Sequence, residues 1–370
     1  MIPLPPLVDQ HCHGVVRTDL ATATFESYLT ESDSPAAPGT TFFDTQLGFA
    51  VRRWCAPLLG LEPHCPPPLY LARRRDLGAA AVTKTLLRGS GIAAFLVDTG
   101  LPGDLTTPAE LAAAGGAQGL EVVRLERLAE QAAEEAGSAE AFPRRFADAL
   151  ATAAKTAVGL KSVAAYRYGL HLDPRPPDPG EVRAAASRWL ALRERGGDLR
   201  LSDPVLLRHL LWSAAATGLP IQLHTGFGDP DLSLRFSDPL LLDELIRALR
   251  PTGSAVVLLH GYPYHRKAAY LAAVHPHVYT DIGLALGHTG ARAEAVLAEV
   301  LELAPFGKVL FSTDACGLPE LYVVGAQLFR EAMDRLLTGW VADGAWSRGD
   351  AERVAGLIAA ENARRLYGLT

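Results

Sequence analysis

The sequence has no basic stripe: 35 lysines and arginines face 41 acidic residues across 370 positions, for a formal net charge of -6. That balance argues against a nucleic-acid surface and favours a small-molecule substrate as the partner. No window approaches 18 uncharged apolar residues, and Met1 to Leu7 carries no positive segment leading into a long apolar stretch, so a cytoplasmic protein with no membrane partner is expected. Cysteine is scarce: Cys12, Cys55, Cys65 and Cys316 do not make a disulfide framework in so long a chain, and a reducing compartment suits them. His64, between Cys55 and Cys65, lacks the close paired spacing of a structural zinc site. Internal repeats, low-complexity tracts and flexible interdomain linkers are absent, and Gly115-Gly116 matches no phosphate-binding loop. Self-association into a homo-oligomer is left open.

What the sequence does have is apolar material, 49% hydrophobic against 21% charged residues, enough for a large core. Its clearest signal is a series of eight short apolar runs: Pro6 to His13, Ile92 to Thr99, Leu120 to Leu125, Ala157 to Ser162, Pro220 to His224, Ala255 to His260, Val278 to Asp281 and Lys308 to Thr313. Between them lie stretches with apolar residues at helical spacing and no interior proline: Glu126 to Ala136, Gly180 to Arg195, Pro204 to Thr217, Pro239 to Leu249, Arg266 to Val274, Arg292 to Ala304 and Glu320 to Leu337. Strands alternating with helices predict βαβ units and a parallel sheet, and eight of them point to an α/β fold closed as a (β/α)8 barrel of the TIM type more than to an open doubly wound sheet. A single domain over residues 1–370 is expected, with a helical insertion over about 17–90 after the first strand.

The chemistry-bearing residues gather at the ends of these runs, where barrel active sites are assembled. In Val8-Asp9-Gln10-His11-Cys12-His13, residues two apart share a strand face, so His11 and His13 point one way and Cys12 the other. The fifth run ends in His224-Thr225-Gly226, the sixth in His260-Gly261 and the eighth in Thr313-Asp314. Each alone has an ordinary structural explanation, a satisfied core histidine or a helix N-cap. Together they make five metal-competent groups at one level, and nitrogen with oxygen donors suits Zn2+, with Mn2+ or Fe2+ as alternatives, as one or two ions.

Lys161 ends the fourth run, where it is either a surface lysine just past the strand or a lysine aimed into the site, as a cation for an anionic substrate or carboxylated as a bridge between two metals. Tyr166 and Arg167 follow, and the guanidinium is suited either to clamping a substrate carboxylate or to a surface ion pair. Asp229 and Asp231 could recognise a substrate amine or cap a turn, and His265 and Glu320 are further rim candidates.

These residues, with Ala165-Tyr166-Arg167-Tyr168-Gly169-Leu170, His224-Thr225-Gly226-Phe227-Gly228-Asp229, His260-Gly261-Tyr262-Pro263, Ser312-Thr313-Asp314-Ala315 and Asn362-Ala363-Arg364-Arg365-Leu366-Tyr367, resemble the amidohydrolase superfamily. The likeness is narrower to the amidohydrolase-related branch that includes the N-terminal domains of FluG-like and nodulin-type proteins. The resemblance implies a metal-dependent barrel with metal on His11, His13, His224 and Asp314. At such a site Asp314 is expected as general base and acid, and His260 binds a second metal or polarises the substrate carbonyl. It implies an enzyme, with C–N hydrolysis of a small carboxylate-bearing amide as the first expectation. A γ-glutamyl conjugate is a candidate substrate, since relatives occur beside glutamine synthetase-like enzymes. Metal-dependent decarboxylation or C–C cleavage is the alternative, and a non-catalytic regulatory barrel a third. Lys161 tilts the balance toward hydrolysis, because many decarboxylase relatives lack a lysine at that position.

Overall fold

Short runs of Val, Leu, Ile and Phe, too apolar to leave either face in water, become strands of a parallel sheet. The computed structural model describes residues 2–194 and 199–369. Its strands are β1 (Leu7–Cys12), β2 (Ile92–Asp98), β3 (Gln118–Arg124), β4 (Gly159–Ser162), β5 (Ile221–Thr225), β6 (Val256–His260) and β7 (Val278–Thr280). They lie in sequence order in one seven-stranded sheet, and the pairings of β1 with β2 and from β3 through β7 are parallel. Seven of the eight expected runs are therefore strands, with ends within two residues of those expected, and the helices between them complete an α/β fold.

The eighth run departs from expectation. Among the described residues Lys308–Thr313 is not a strand of the sheet: Lys308 closes a 3-10 turn, Phe306–Lys308, and the chain from Phe311 onward bonds to β1 and the residues after it. The Gln10 N–H donates to the Phe311 carbonyl at 3.1 Å, the Asp314 N–H to the His11 carbonyl at 3.0 Å and the His13 N–H to the Ala315 carbonyl at 2.8 Å. The regular ladder fails because the Thr313 N–H donates to the Asp9 carboxylate at 2.9 Å and Asp314 takes a left-handed conformation, φ 53°.

The chain divides into two units, Met1–Leu120 with Asp281–Arg365 and Leu369–Thr370, and Glu121–Thr280 with Leu366–Gly368. In the first, the expected insertion is helical: Thr22–Ser27, Gln46–Leu58, Pro67–Leu77 and Ala79–Gly89 lie between β1 and β2. The long helix Pro319–Ala342 packs on Gln46–Leu58 and Ala79–Gly89. A buried polar cluster pins it there. Glu320, fully buried, accepts from Arg74 Nε at 2.8 Å and from the Tyr70 hydroxyl at 2.9 Å, and the Arg74 guanidinium lies 5.3 Å from the Phe25 ring centre. Glu320 is thus an internal anchor of the insertion and not a rim residue.

In the second unit the helices Leu125–Ala136, Pro179–Glu194, Pro204–Ala215 and His265–Val274 fall where helical spacing predicts them; the end expected at Arg195 lies outside the described residues. The expected Pro239–Leu249 helix is a 3-10 turn, Pro239–Leu242, running into Asp243–Leu249. The helix Phe142–Ala153 was not expected, yet Phe142, Phe146 and Leu150 at four-residue spacing form its buried face. Among the described residues no helix is long and apolar enough to cross a membrane.

Arg74→Ala would leave the Glu320 carboxylate buried with only the Tyr70 hydroxyl as donor. A buried ion pair broken from one side costs about 3–5 kcal/mol, which urea unfolding should register. A loss within the range of an exposed pair, below about 1 kcal/mol, would deny the anchoring role.

Candidate metal centre

His11, His13 and Asp314 belong to the first unit, and the β1 pairing described above brings them together. His11 is inside β1 and fully buried, and His13 lies just past its end. Their rings meet edge to face, 5.1 Å between centres. Asp314 Oδ1 lies 3.1 Å from His11 Nε2 and 3.4 Å from His13 Nε2. The strand alternation holds: Cys12 points to the other side, its thiol 3.6 Å from the Leu96 carbonyl, and burial pushes that thiol well above the ordinary cysteine range, which leaves it inert as a ligand.

His13 Nδ1 lies 3.1 Å from the Asp98 carbonyl oxygen. With the proton assigned to Nδ1, the imidazole presents the Nε2 lone pair toward Asp314, the orientation that partners of metal-bound histidines commonly impose. The Asp98 side chain, at the end of β2, places a carboxylate oxygen within 4.8 Å of donor atoms of His11 and His13. Two imidazole nitrogens and a carboxylate oxygen converging in a buried pocket fit a divalent first-row ion.

Two acids here were not singled out in the sequence. Asp98 closes an apolar run just as Asp314 does, which was the available signal. Asp9, fully buried two residues before His11, holds Thr313; burial pushes its carboxyl up to about 8, against the pull of the hydrogen bonds from Thr313.

The second unit carries the remaining candidates. His224, in β5, has Nε2 3.1 Å from the Phe227 carbonyl, and its ring lies 4.7 Å from that of His260 and 4.6 Å from that of Tyr166. His260, fully buried at the end of β6, has φ 67°. Such strained backbone in a non-glycine residue concentrates at functional positions. Tyr166 is half-buried, and its hydroxyl occupies the space a Cβ would take at Gly228, 1.9 Å from that position, so only glycine there lets the phenol lie beside His224.

Lys161 is not a surface residue past the strand. It is buried within β4, in register with Arg124 of β3 and Gln222 of β5. The turn after it is fixed by Glu126, whose Oε1 accepts from the Ser162 hydroxyl at 2.6 Å and the Val163 N–H at 3.0 Å; burial raises the Glu126 carboxyl. Arg167 pairs with Glu130 at 2.9 Å, which engages its guanidinium inside the fold. Asp229 is an exposed turn residue accepting the Asp231 N–H at 3.0 Å, and Asp231 pairs with Arg200. His265 is buried against the Tyr262 ring, 5.3 Å between centres.

The chain is similar to several known proteins. The protein fluG of Emericella nidulans is 36% identical over 245 residues, 62% of this chain and 28% of that protein, so the chain spans little more than a quarter of its relative. A Lactobacillus casei ATCC 334 protein provisionally described as a metal-dependent hydrolase superposes with TM-score 0.83 at 28% identity, covering 99% of this chain and 96% of that one. The uronate isomerase of Bacillus halodurans shares the fold alone, with TM-score 0.65 at 12% identity over 100% of this chain and 94% of that one. Residues 123–369, which include His224, His260 and Asp314 and begin after His11 and His13, match the amidohydrolase family. With more than half of its length so matched, the chain belongs to the amidohydrolase family.

Proposed function

We propose that the protein is a metal-dependent hydrolase that cleaves the C–N bond of a small carboxylate-bearing amide, a γ-glutamyl conjugate being one candidate. The observation that carries this reading is the buried convergence of His11 Nε2 and His13 Nε2 on Asp314 Oδ1, at 3.1 and 3.4 Å. His224 and His260 are proposed as the further ligands that the family resemblance assigns, the ion being zinc, or Mn2+ or Fe2+, in one or two copies. We take the sheet to close as a (β/α)8 barrel, with the segment Lys308–Thr313 in the place of an eighth strand, and residues 1–370 to form one domain. It places the enzyme in the cytoplasm, where its free cysteines stay reduced.

A divalent cation bound here supplies Lewis acidity, acidifying water and polarising a carbonyl oxygen. The protein's own residues do the rest. The Asp314 carboxylate accepts a proton from the attacking water and returns it to the leaving nitrogen, which otherwise departs as an unstable anion. His260, held rigid at the end of β6, polarises the substrate carbonyl if it does not bind a second ion. Tyr166, beside His224, contacts the substrate. Lys161 is proposed to clamp the substrate carboxylate, and its burial in β4 supports a functional charge over a solvated one. That lysine also favours hydrolysis over the alternative of metal-dependent decarboxylation or C–C cleavage. Arg167, engaged by Glu130, and Asp229, at its exposed turn, are left with minor roles in binding.

His11→Ala and His13→Ala should lose bound metal and turnover together, while Cys12→Ala keeps the metal. Equal loss in Cys12→Ala, measured by elemental analysis, would contradict the strand face assigned to the ligands. Asp314→Asn, loaded with metal, should lose about two to four orders of magnitude in kcat; near-wild-type turnover would remove Asp314 from proton transfer. Lys161→Ala should raise KM for an anionic amide without changing metal content, and Lys161→Arg should recover part of the activity. A fall in metal content by about half, reversed by short-chain acids, would instead make Lys161 a carboxylated bridge between two ions.

A further inference from the structure

Asp9 shares a strand face with His11 but does not reach for the same partners. Its Oδ1 accepts the Thr313 N–H at 2.9 Å and its Oδ2 accepts the Thr313 hydroxyl at 2.5 Å. The Thr313 hydroxyl oxygen in turn accepts the Ala315 N–H at 3.1 Å. The backbone N–H groups on either side of Asp314 are therefore held by side-chain oxygens, and its own N–H goes to the His11 carbonyl at 3.0 Å. Between these anchors Asp314 has φ 53°. A non-glycine residue keeps that conformation only where its surroundings over-determine it.

We propose that Asp9 is a positioning residue for metal binding: through Thr313 it holds Asp314 in the left-handed conformation that turns Oδ1 toward His11 and His13. This rests on reading those three residues as metal ligands. The chemistry of the pair is specific. Two donors of Thr313 converge on Asp9, one on each side-chain oxygen, whereas asparagine would set an NH2 group against one of them. Threonine supplies at 313 a hydroxyl that donates to Asp9 and accepts from the Ala315 N–H at once. Serine keeps both bonds and valine keeps neither. Without the clamp Asp314 relaxes to an ordinary φ, and its carboxylate leaves the histidines.

The test is uptake of Co2+ by metal-free protein, followed by visible absorption and by competition with a chelator. Loss of a partner that orients a ligand costs about 10- to 100-fold in metal affinity, and that weakening, with an altered absorption band, is expected for Thr313→Val and Asp9→Asn. Thr313→Ser should bind with nearly wild-type affinity and spectrum. Thr313→Val keeps the volume of the side chain but leaves Asp9 Oδ2 and the Ala315 N–H without the hydroxyl and so lowers the melting temperature; measuring Co2+ affinity well below the melting midpoint of each variant separates positioning from general destabilisation. If Asp9→Asn does not fold, the contrast between valine and serine at 313 decides the matter. Failure of the wild type to take up Co2+ would overturn the reading of the centre itself. Wild-type uptake with unchanged affinity and spectrum in Thr313→Val would leave that reading intact and overturn the role given to Asp9.

Discussion

The pairing of β1 with the segment Phe311–Ala315 is the constraint on which the candidate centre depends. Three backbone hydrogen bonds, from Gln10, Asp314 and His13, join one end of the chain to residues near the other, and no local propensity can form them. Parallel neighbours need a long connection, so this contact exists only when the fold exists. Its consequence is chemical: two imidazoles and a carboxylate, each unremarkable on its own strand end, meet within hydrogen-bonding distance and away from water.

Keeping polar groups in such a place is costly unless each finds partners, and the chain meets that demand with matched donors. Asp9 takes both donors of Thr313. Asp281 takes the Gln10 amide at 2.5 Å and the Ser312 hydroxyl at 2.6 Å. Glu320 takes Arg74 and Tyr70, and Glu126 takes Ser162 and Val163. Asp9 and Asp281 fix the segment beside β1, Glu126 fixes the turn after β4, and Glu320 fixes the helical insertion. A site built on such supports arrives already shaped, so little reorganisation remains to be done when charge develops during a reaction.

Much of this was legible in the sequence, for identifiable reasons. The strands announce themselves because a doubly covered parallel sheet demands continuous apolar runs, and the pair His11 and His13 is readable because a strand alternates its faces. The eighth segment was read as a strand because its composition is that of one; it departs at Thr313, where a side chain takes the place of a ladder bond, and periodicity carries no trace of that. Glu320 looked like a rim residue because its partner Arg74 lies 246 positions away. Arg167 could be given a substrate for the same reason, since Glu130 sits unmarked on a helix face. Asp9 and Asp98 were passed over because an acid beside a strand reads identically whether it binds a metal, braces a loop or meets water. Lys161 stands open in the sequence between a surface position and one aimed into the site, and its register with Arg124 and Gln222 decides for burial.

The most direct test of the central claim is anomalous diffraction from crystals of the protein grown with Co2+. The account predicts an anomalous peak within about 2.0–2.2 Å, the distance for nitrogen and oxygen ligands, of His11 Nε2, His13 Nε2 and Asp314 Oδ1. A structure without a peak there, in which Asp314 simply hydrogen-bonds the two histidines, would contradict it.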